Sequence, residues 1–340
     1  MDFLLGTTSA GAHGTLRPSR TPRTARHAAG AGSPGPIRAD PPTTRPVPQP
    51  LGVWRAAEPD GGFRARPRGQ PGRTQAGAPR GRGTSMQVLE RRTLTEVTGG
   101  DGGAEAAADL AFARYTHDYD DEGLESVLAR ARELHAEAAQ AQAGERHLGL
   151  DHLRRVQDLV PEVRRLVHDR DRLDRLSDLA GVELEPYPIP TSCSGVNFYR
   201  PGQAPIALHR DGPAFVELVP LHADGGQEGG STLVFRGPAD VGAVRAAQGD
   251  LPAAELEAVP QRVGAAVLLQ GRMLLHTAEL LTDGHRVTLV LSLRSRAEPW
   301  KDTNTLGRLL RDDRPEDVAE AWEHDVETRQ LPALRRHLLG

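Results

Sequence analysis

Beyond Gly181 the chain breaks into short apolar runs, each cut off by glycine or proline: VELEPYPI, SGVNFY, PIALH, FVELVPLH, STLVFRG, VGAAVLLQG, MLLHTAEL and HRVTLVLSLR. None is long enough for a core helix, and β-branched residues recur in most of them. About eight such strands with turn signals between them predict a sandwich or barrel of antiparallel sheets. One charged stretch, Ala239 to Arg262, interrupts the series as an insert.

The flanks read differently. From Ala104 to Ala180 the spacing is helical: DEGLESVLARARELHAEAAQAQAG places Leu124, Val127, Leu128 and Leu134 on one side. Pro161 suits the first turn of a further helix, and Gly181 ends it. After residue 300 the helical pattern returns in LGRLLRDD and PEDVAEAWEHDVETRQLPALRRHLL. The expected fold is therefore mainly β with flanking helices: a helical support region over 86–180, a β core over 181–300 and a C-terminal helical cap over 301–340.

Residues 1–85 carry thirteen arginines against four acids, although the whole chain of 340 residues has a net charge of −4. The remainder is thus strongly acidic, which disfavours a nucleic-acid partner. The segment is rich in Pro, Gly, Ala, Ser and Thr without apolar period, so it is expected to be a disordered tail. An arginine-rich arm and an organelle transit peptide are two readings of it. The preferred one is that synthesis begins at Met86 and that upstream GC-rich sequence is translated only in the longer frame. The single lysine, Lys301, among so many arginines fits such a genome. No run is long enough for a membrane span, no secretory signal is evident, and a lone cysteine, Cys193, excludes an internal disulfide. A cytoplasmic protein acting on a small molecule, away from nucleic acid and membrane, is expected; oligomeric state is left open.

Chemistry enters at His209 and Asp211. Residues two apart on a strand point to one side, and two imidazoles with one carboxylate form the facial triad of non-haem Fe(II) oxygenases. The third ligand must come from another strand, and a further histidine, His276, follows the run VGAAVLLQGRMLL. A second His-x-Asp, His222 and Asp224, leaves no room for an intervening strand before STLVFRG and reads as a loop at a strand end. Ten residues past His276, Arg286 opens the strand RVTLVLSLR, where Arg286, Thr288, Ser292 and Arg294 share one face by parity. A buried polar row is costly unless satisfied. Arginine suits bidentate capture of a carboxylate, and threonine adds a hydroxyl donor.

This set, His-x-Asp, a distal His, and Arg ten residues on followed by x-Thr, resembles the Fe(II)/2-oxoglutarate-dependent dioxygenases over roughly residues 181–298. GGSTLVFRG is similar to a segment of their phytanoyl-CoA-dioxygenase-like and prolyl-hydroxylase-like members. The resemblance implies a double-stranded β-helix, or jelly roll. It implies Fe(II) on His209, Asp211 and His276, with 2-oxoglutarate held by Arg286 and Thr288 and O₂ as the second cosubstrate. NFYRPGQAPIALHRD resembles the run before the metal motif in AlkB-type demethylases, which nominates Asn197 and Tyr199 as cosubstrate contacts; the alternative is that they cap the turn and pack. A retained Asp211 implies hydroxylation, with desaturation, epimerisation and cyclisation open.

For the primary substrate, parity nominates Arg294 and Arg272 as a further positive charge and hence a small carboxylate-bearing metabolite, such as an amino acid. Each arginine has a competing reading as a rim residue paired with surface acids. Glu217 either faces solvent or meets a substrate amine. Two alternatives remain: a cupin-like isomerase or hydrolase using the same ligands without 2-oxoglutarate, and a non-catalytic jelly-roll binding domain. Arg286 distinguishes them, since neither needs an inward arginine there.

Deletion of residues 1–85 is expected to leave activity and melting temperature unchanged, because that segment has no core to contribute. Differential scanning calorimetry of the two lengths checks this, and a large fall in melting temperature would show that the tail packs.

Overall fold

The computed structural model describes residues 86–141, 151–203, 206–302 and 304–339; the expectations for residues 1–85 lie outside them. Eleven strands are described. They are β1 (Gln87–Thr93), β2 (Leu110–Thr116), β3 (Asp151–Arg154), β4 (Leu184–Pro186), β5 (Ser194–Tyr199), β6 (Phe215–Ala223), β7 (Thr232–Phe235), β8 (Leu256–Val259), β9 (Ala265–Leu269), β10 (His276–Ala278) and β11 (Arg286–Ser295). The large sheet runs β1-β2-β9-β6-β11-β5-β3, with β4 on the far end of β11, and the small sheet runs β10-β7-β8. Every strand pairing is antiparallel. No helix among the described residues is long and apolar enough to cross a membrane.

The two faces of β11 show how the layers stack. Its odd residues, Val287, Leu289, Leu291 and Leu293, join a core with Val127, Ala131, Leu176 and Leu179 from the helices Asp121–Ala141 and Arg170–Ala180. On the even face, Val290 packs against a second cluster, where Val216, Val267 and Leu269 of the large sheet meet Val234 and Val259 of the small one. The even face therefore looks into the space between the sheets and the odd face looks at the helices. A strand buried on both sides must be apolar on both unless function intervenes. Polar Arg286, Thr288, Ser292 and Arg294 all lie on the inter-sheet side.

From β5 onward the chain alternates: β5 in the large sheet, a segment ending at His209 against the small one, β6 large, β7 and β8 small, β9 large, β10 small, β11 large. Pro220 sits in β6 beside a register shift, where Thr288 faces Pro220 and Val287 faces His222, leaving Leu221 over. A bulge tolerates the missing donor of proline.

Residues 86–180, read as helical, also supply β1, β2 and β3 to the large sheet. The LAFARYT run of β2 was absorbed into the alanine-rich helical pattern around it, yet five of its seven residues are buried. The expected insert after Ala239 is a helix, Ala239–Ala247, followed by edge strand β8.

Glu217 requires a correction. It lies opposite Leu291 and Leu268, on the helix side of the sheet, and is fully buried. Its carboxylate accepts from Tyr115 Oη at 2.5 Å, from Tyr119 Oη and from Arg172 Nε at 2.8 Å. It meets neither solvent nor the inter-sheet space. Parity decided this, because β6 directs residues 216 and 218 inward and 217 outward. Three donors offset the desolvation of a charge that stitches the helix Arg170–Ala180 to the sheet.

Breaking that pair leaves a charge buried alone. Arg172→Ala is expected to cost about 3–5 kcal/mol of stability, and Tyr115→Phe about 1–3 kcal/mol. Denaturant titration reads both, and a loss below about 1 kcal/mol for Arg172→Ala would show that the pair is dispensable.

Candidate metal and anion site

The segment carrying His209 runs beside β10. His209 N donates to His276 O, and His276 N to His209 O, both at 2.9 Å. The two histidines are thereby cross-strand partners with ring centroids 4.5 Å apart. Two residues on, Asp211 N donates to Gly271 O at 3.0 Å, which fixes the carboxylate beside the pair. Asp211 Oδ1 is 3.5 Å from His209 Nε2, and Oδ2 is 3.6 Å from His276 Nε2. One donor atom from each residue lies within 4.8 Å of the others, a spacing that can hold one metal ion.

Both imidazoles are oriented for that task. His209 Nδ1 lies 2.8 Å from Ala207 O and His276 Nδ1 lies 3.1 Å from Leu274 O. A carbonyl can only accept, so Nδ1 carries a proton and each Nε2 faces Asp211 as the ring atom left for a metal, which would take the place of any proton there. Burial opposes charge on His276 and holds its pKa below the ordinary value. Burial also opposes charge on His209, but its bond to Asp211 outweighs this and raises its pKa. Burial alone would raise Asp211; the neighbouring histidines reverse that and lower it. Asp211 is thus a carboxylate held low by two neighbouring imidazole Nε2 atoms, a donor set that suits a divalent transition metal.

Close packing leaves the carboxylate no freedom. A Cβ at Gly271 would stand 1.9 Å from Asp211 Oδ2, and one at Gly212 would stand 1.7 Å from Asn304 Oδ1. Arg308 donates to Arg210 O at 3.1 Å and adds positive charge near His209 and Asp211. Sequence reading missed Gly271, Gly212, Asn304 and Arg308. The first two follow strands as ordinary turn glycines would, and the last two lie in a segment read only as a helical cap.

A second group faces the same space. His276 opposes Val234, which belongs to the inter-sheet cluster, so His276 points inward. Arg286 and Thr288 also point inward, and their partners on β5 are Tyr199 and Asn197. The Arg286 guanidinium lies 3.9 Å over the Tyr199 ring, and Asn197 Nδ2 donates to Tyr199 Oη at 3.3 Å. Arg286 is 2% exposed and Thr288 3%. Arg286 Nε and Nη1 and Thr288 Oγ1 nevertheless have no hydrogen-bond partner among the described residues. Burial lowers the Arg286 pKa, and a buried cation in that condition is costly unless an anion joins it. Three directed donors around one gap match a carboxylate.

Other candidates fall elsewhere. Arg294 has the inward parity but lies eight residues along the strand from Arg286, about 27 Å at strand rise. There it donates from Nε to Glu185 at 2.9 Å and from Nη1 and Nη2 to Asp325 at 2.6 Å each. Its charge is consumed inside the fold, which corrects its reading as a free substrate anchor. Among the described residues Arg272 meets Glu105 at 3.6 Å, and its Nε has no hydrogen-bond partner there. His222 and Asp224 close on each other at 2.9 Å at the end of β6, with His285 joining at 3.1 Å, apart from the triad.

Gly271→Ala is expected to displace the Asp211 side chain and weaken Co(II) or Mn(II) binding by about 10- to 100-fold, with the fold kept. Metal titration and circular dichroism check this together; full affinity would mean that Asp211 is not a ligand.

No protein-family model matches the chain, and no curated protein matches its sequence. Among solved structures the chain is similar to HygX from Streptomyces hygroscopicus with nickel and 2-oxoglutarate bound, at 17% identity and a TM-score of 0.41, covering 54% of this chain and 83% of that one. It is similar to AviO1 from Streptomyces viridochromogenes Tue57 at 22% identity and a TM-score of 0.42, covering 56% and 91%. It is also similar to a Pseudomonas putida prolyl-4-hydroxylase at 14% identity and a TM-score of 0.37, covering 55% and 93%. These are distant likenesses, and none of them supplies a reaction for this chain.

Proposed function

We propose that this chain is an Fe(II)- and 2-oxoglutarate-dependent oxygenase of jelly-roll fold that hydroxylates a small carboxylate-bearing metabolite. The observation that carries the reading is the pairing of two sites in one inter-sheet space. One is a His-Asp-His cluster with both Nδ1 atoms engaged; the other is a buried arginine with no anion. A cupin-like isomerase or hydrolase needs the first and not the second. A binding domain needs neither oriented imidazoles nor a buried, unpaired cation. The alternation of the chain between the sheets supports the jelly-roll winding.

His209, Asp211 and His276 would hold Fe(II), which supplies the oxidising chemistry with O₂ when bound. The remaining work belongs to the protein. Arg286, held flat by Tyr199, and Thr288 bind the distal carboxylate of 2-oxoglutarate, while Asn197 fixes the tyrosine. Ala207 O and Leu274 O keep the protons on Nδ1, so neither histidine serves as an acid or base. The apolar inter-sheet cluster keeps bulk water from the reacting centre. The unpartnered Nε of Arg272, one residue from Gly271, supports a carboxylate on the primary substrate.

Anaerobic addition of Fe(II) and 2-oxoglutarate is expected to give a weak visible charge-transfer band; its absence with folded protein favours the cupin-like reading. Arg286→Ala is expected to raise the 2-oxoglutarate requirement by about 30- to 1000-fold, the equivalent of about 2–4 kcal/mol for a charge-assisted bond in a dry site. The requirement for the primary substrate should change far less. Unaltered 2-oxoglutarate dependence would remove this role from Arg286.

A further inference from the structure

The segment after β11 brings a second set of polar groups to the Asp211 side of the metal cluster. Asn304 is buried, lies against Gly212 and interacts with Tyr187, itself buried among the residues of the C-terminal cap. Asp302 precedes it by two residues. Its Oδ1 accepts from Asn304 N at 3.0 Å, while Oδ2 is buried and has no hydrogen-bond partner among the described residues. Arg272 follows Gly271, which lies against Asp211, and its Nε is likewise buried and without a partner among the described residues; its charge, after that of Arg294, acts on Asp302. Among the described residues the two form no ion pair, and Arg272 instead meets Glu105 at 3.6 Å.

Asp302 Oδ2 and Arg272 Nε are thus buried polar atoms of opposite charge, both without a hydrogen-bond partner among the described residues, on two segments that lie against the Asp211–Gly212 stretch. Two such groups would close on each other if the chain allowed it, since pairing offsets desolvation. The chain does not allow it easily. Arg272 follows Gly271, which is pinned against Asp211, and Asp302 is tied through its other oxygen to the backbone of Asn304. Lys301, bonded to Ala106 O at 2.7 Å and Glu298 at 2.9 Å, fastens the same segment to the loop before β2. Arg294, the other nearby cation, is already saturated by Glu185 and Asp325. Burial raises the Asp302 pKa to about 6, which still leaves the group ionised in mildly alkaline solution.

Resting on the oxygenase reading, we infer that Arg272 and Asp302 form the primary-substrate subsite and select a zwitterion, with Arg272 taking a carboxylate and Asp302 an ammonium group. A free amino acid has both charges on one carbon and fits this pair; a dicarboxylate or a simple amine satisfies one group and leaves the other buried alone. The subsite uses Arg272 and Asp302 and the cosubstrate group uses Arg286 and Thr288, so substitutions in one set are expected to leave the other ligand's contacts in place.

The test uses the full-length protein with Co(II) and 2-oxoglutarate, without oxygen, at pH 8. L-Norvaline, L-phenylalanine and L-ornithine serve as probes, each compared with its methyl ester and its Nα-acetyl derivative by calorimetry. At least one free amino acid should bind, and its ester and acetyl forms should bind about 10- to 100-fold more weakly. Arg272→Gln should erase the preference for acid over ester, and Asp302→Asn the preference for free amine over acetyl, with 2-oxoglutarate affinity within about twofold of the parent. Binding of none of the amino acids, or preferences that survive in both variants, overturns the subsite while the oxygenase reading stands. If 2-oxoglutarate itself does not bind the parent protein, the oxygenase reading fails instead.

Discussion

Burial of β11 on both faces is the constraint on which the rest of the structure depends. Its odd residues meet the helical layer and its even residues the space between the sheets. Once that register is set, β5 must bring Asn197 and Tyr199 beside Thr288 and Arg286, and β6 must turn Glu217 away from them. The apolar face supplies the burial that stabilises the sheet. The other face carries polar side chains, of which Arg294 is satisfied by Glu185 and Asp325 while Arg286 Nε and Nη1 and Thr288 Oγ1 have no partner among the described residues.

The metal cluster is preorganised by backbone rather than by other side chains. Each imidazole is aimed by a carbonyl two residues earlier, at Ala207 and Leu274, and the two strands bond reciprocally at the histidines. Asp211 is held through its amide by Gly271, and its carboxylate occupies the room that the missing Cβ there leaves. The three side chains, with donor atoms within 4.8 Å of one another, therefore need little rearrangement to converge on one ion. By contrast, the Arg286 side depends on a stack, with Tyr199 under the guanidinium and Asn197 steadying the phenol. Similar economy appears in the core: Glu217, Arg172, Tyr115 and Tyr119 satisfy one another completely on the helix side, where no ligand is needed.

Parity arguments succeeded or failed according to what they were asked. Counting in twos on RVTLVLSLR placed Arg286, Thr288 and Arg294 on one face, and all three lie there. Parity carries no information on depth, however, and Arg294 ends about 27 Å further along, closed by Asp325 from the helix Pro315–Asp325. Glu217 shows the converse. Its parity was readable within FVELVPLH, but which face was inward depended on the neighbouring strands. The strand β2 escaped notice because alanine-rich surroundings carry a helical pattern, and its β conformation comes from pairing with β1 and β9.

What the sequence determined by itself was local and periodic: the succession of short strands cut by glycine and proline, the His-x-Asp spacing, and the sharing of a face along β11. These follow from backbone stereochemistry, which any reader of the chain can apply residue by residue. Only the tertiary structure decided which ionisable groups are neutralised within the protein and which are left waiting. Arg172 and Arg294 find carboxylates, and Arg286 finds none among the described residues. Asp302 approaches Arg272 without pairing, and Gly271 and Gly212 press on the metal strand. Those outcomes depend on contacts between residues far apart in sequence, where a difference of a few ångströms separates an ion pair from an open site and no spacing rule reaches.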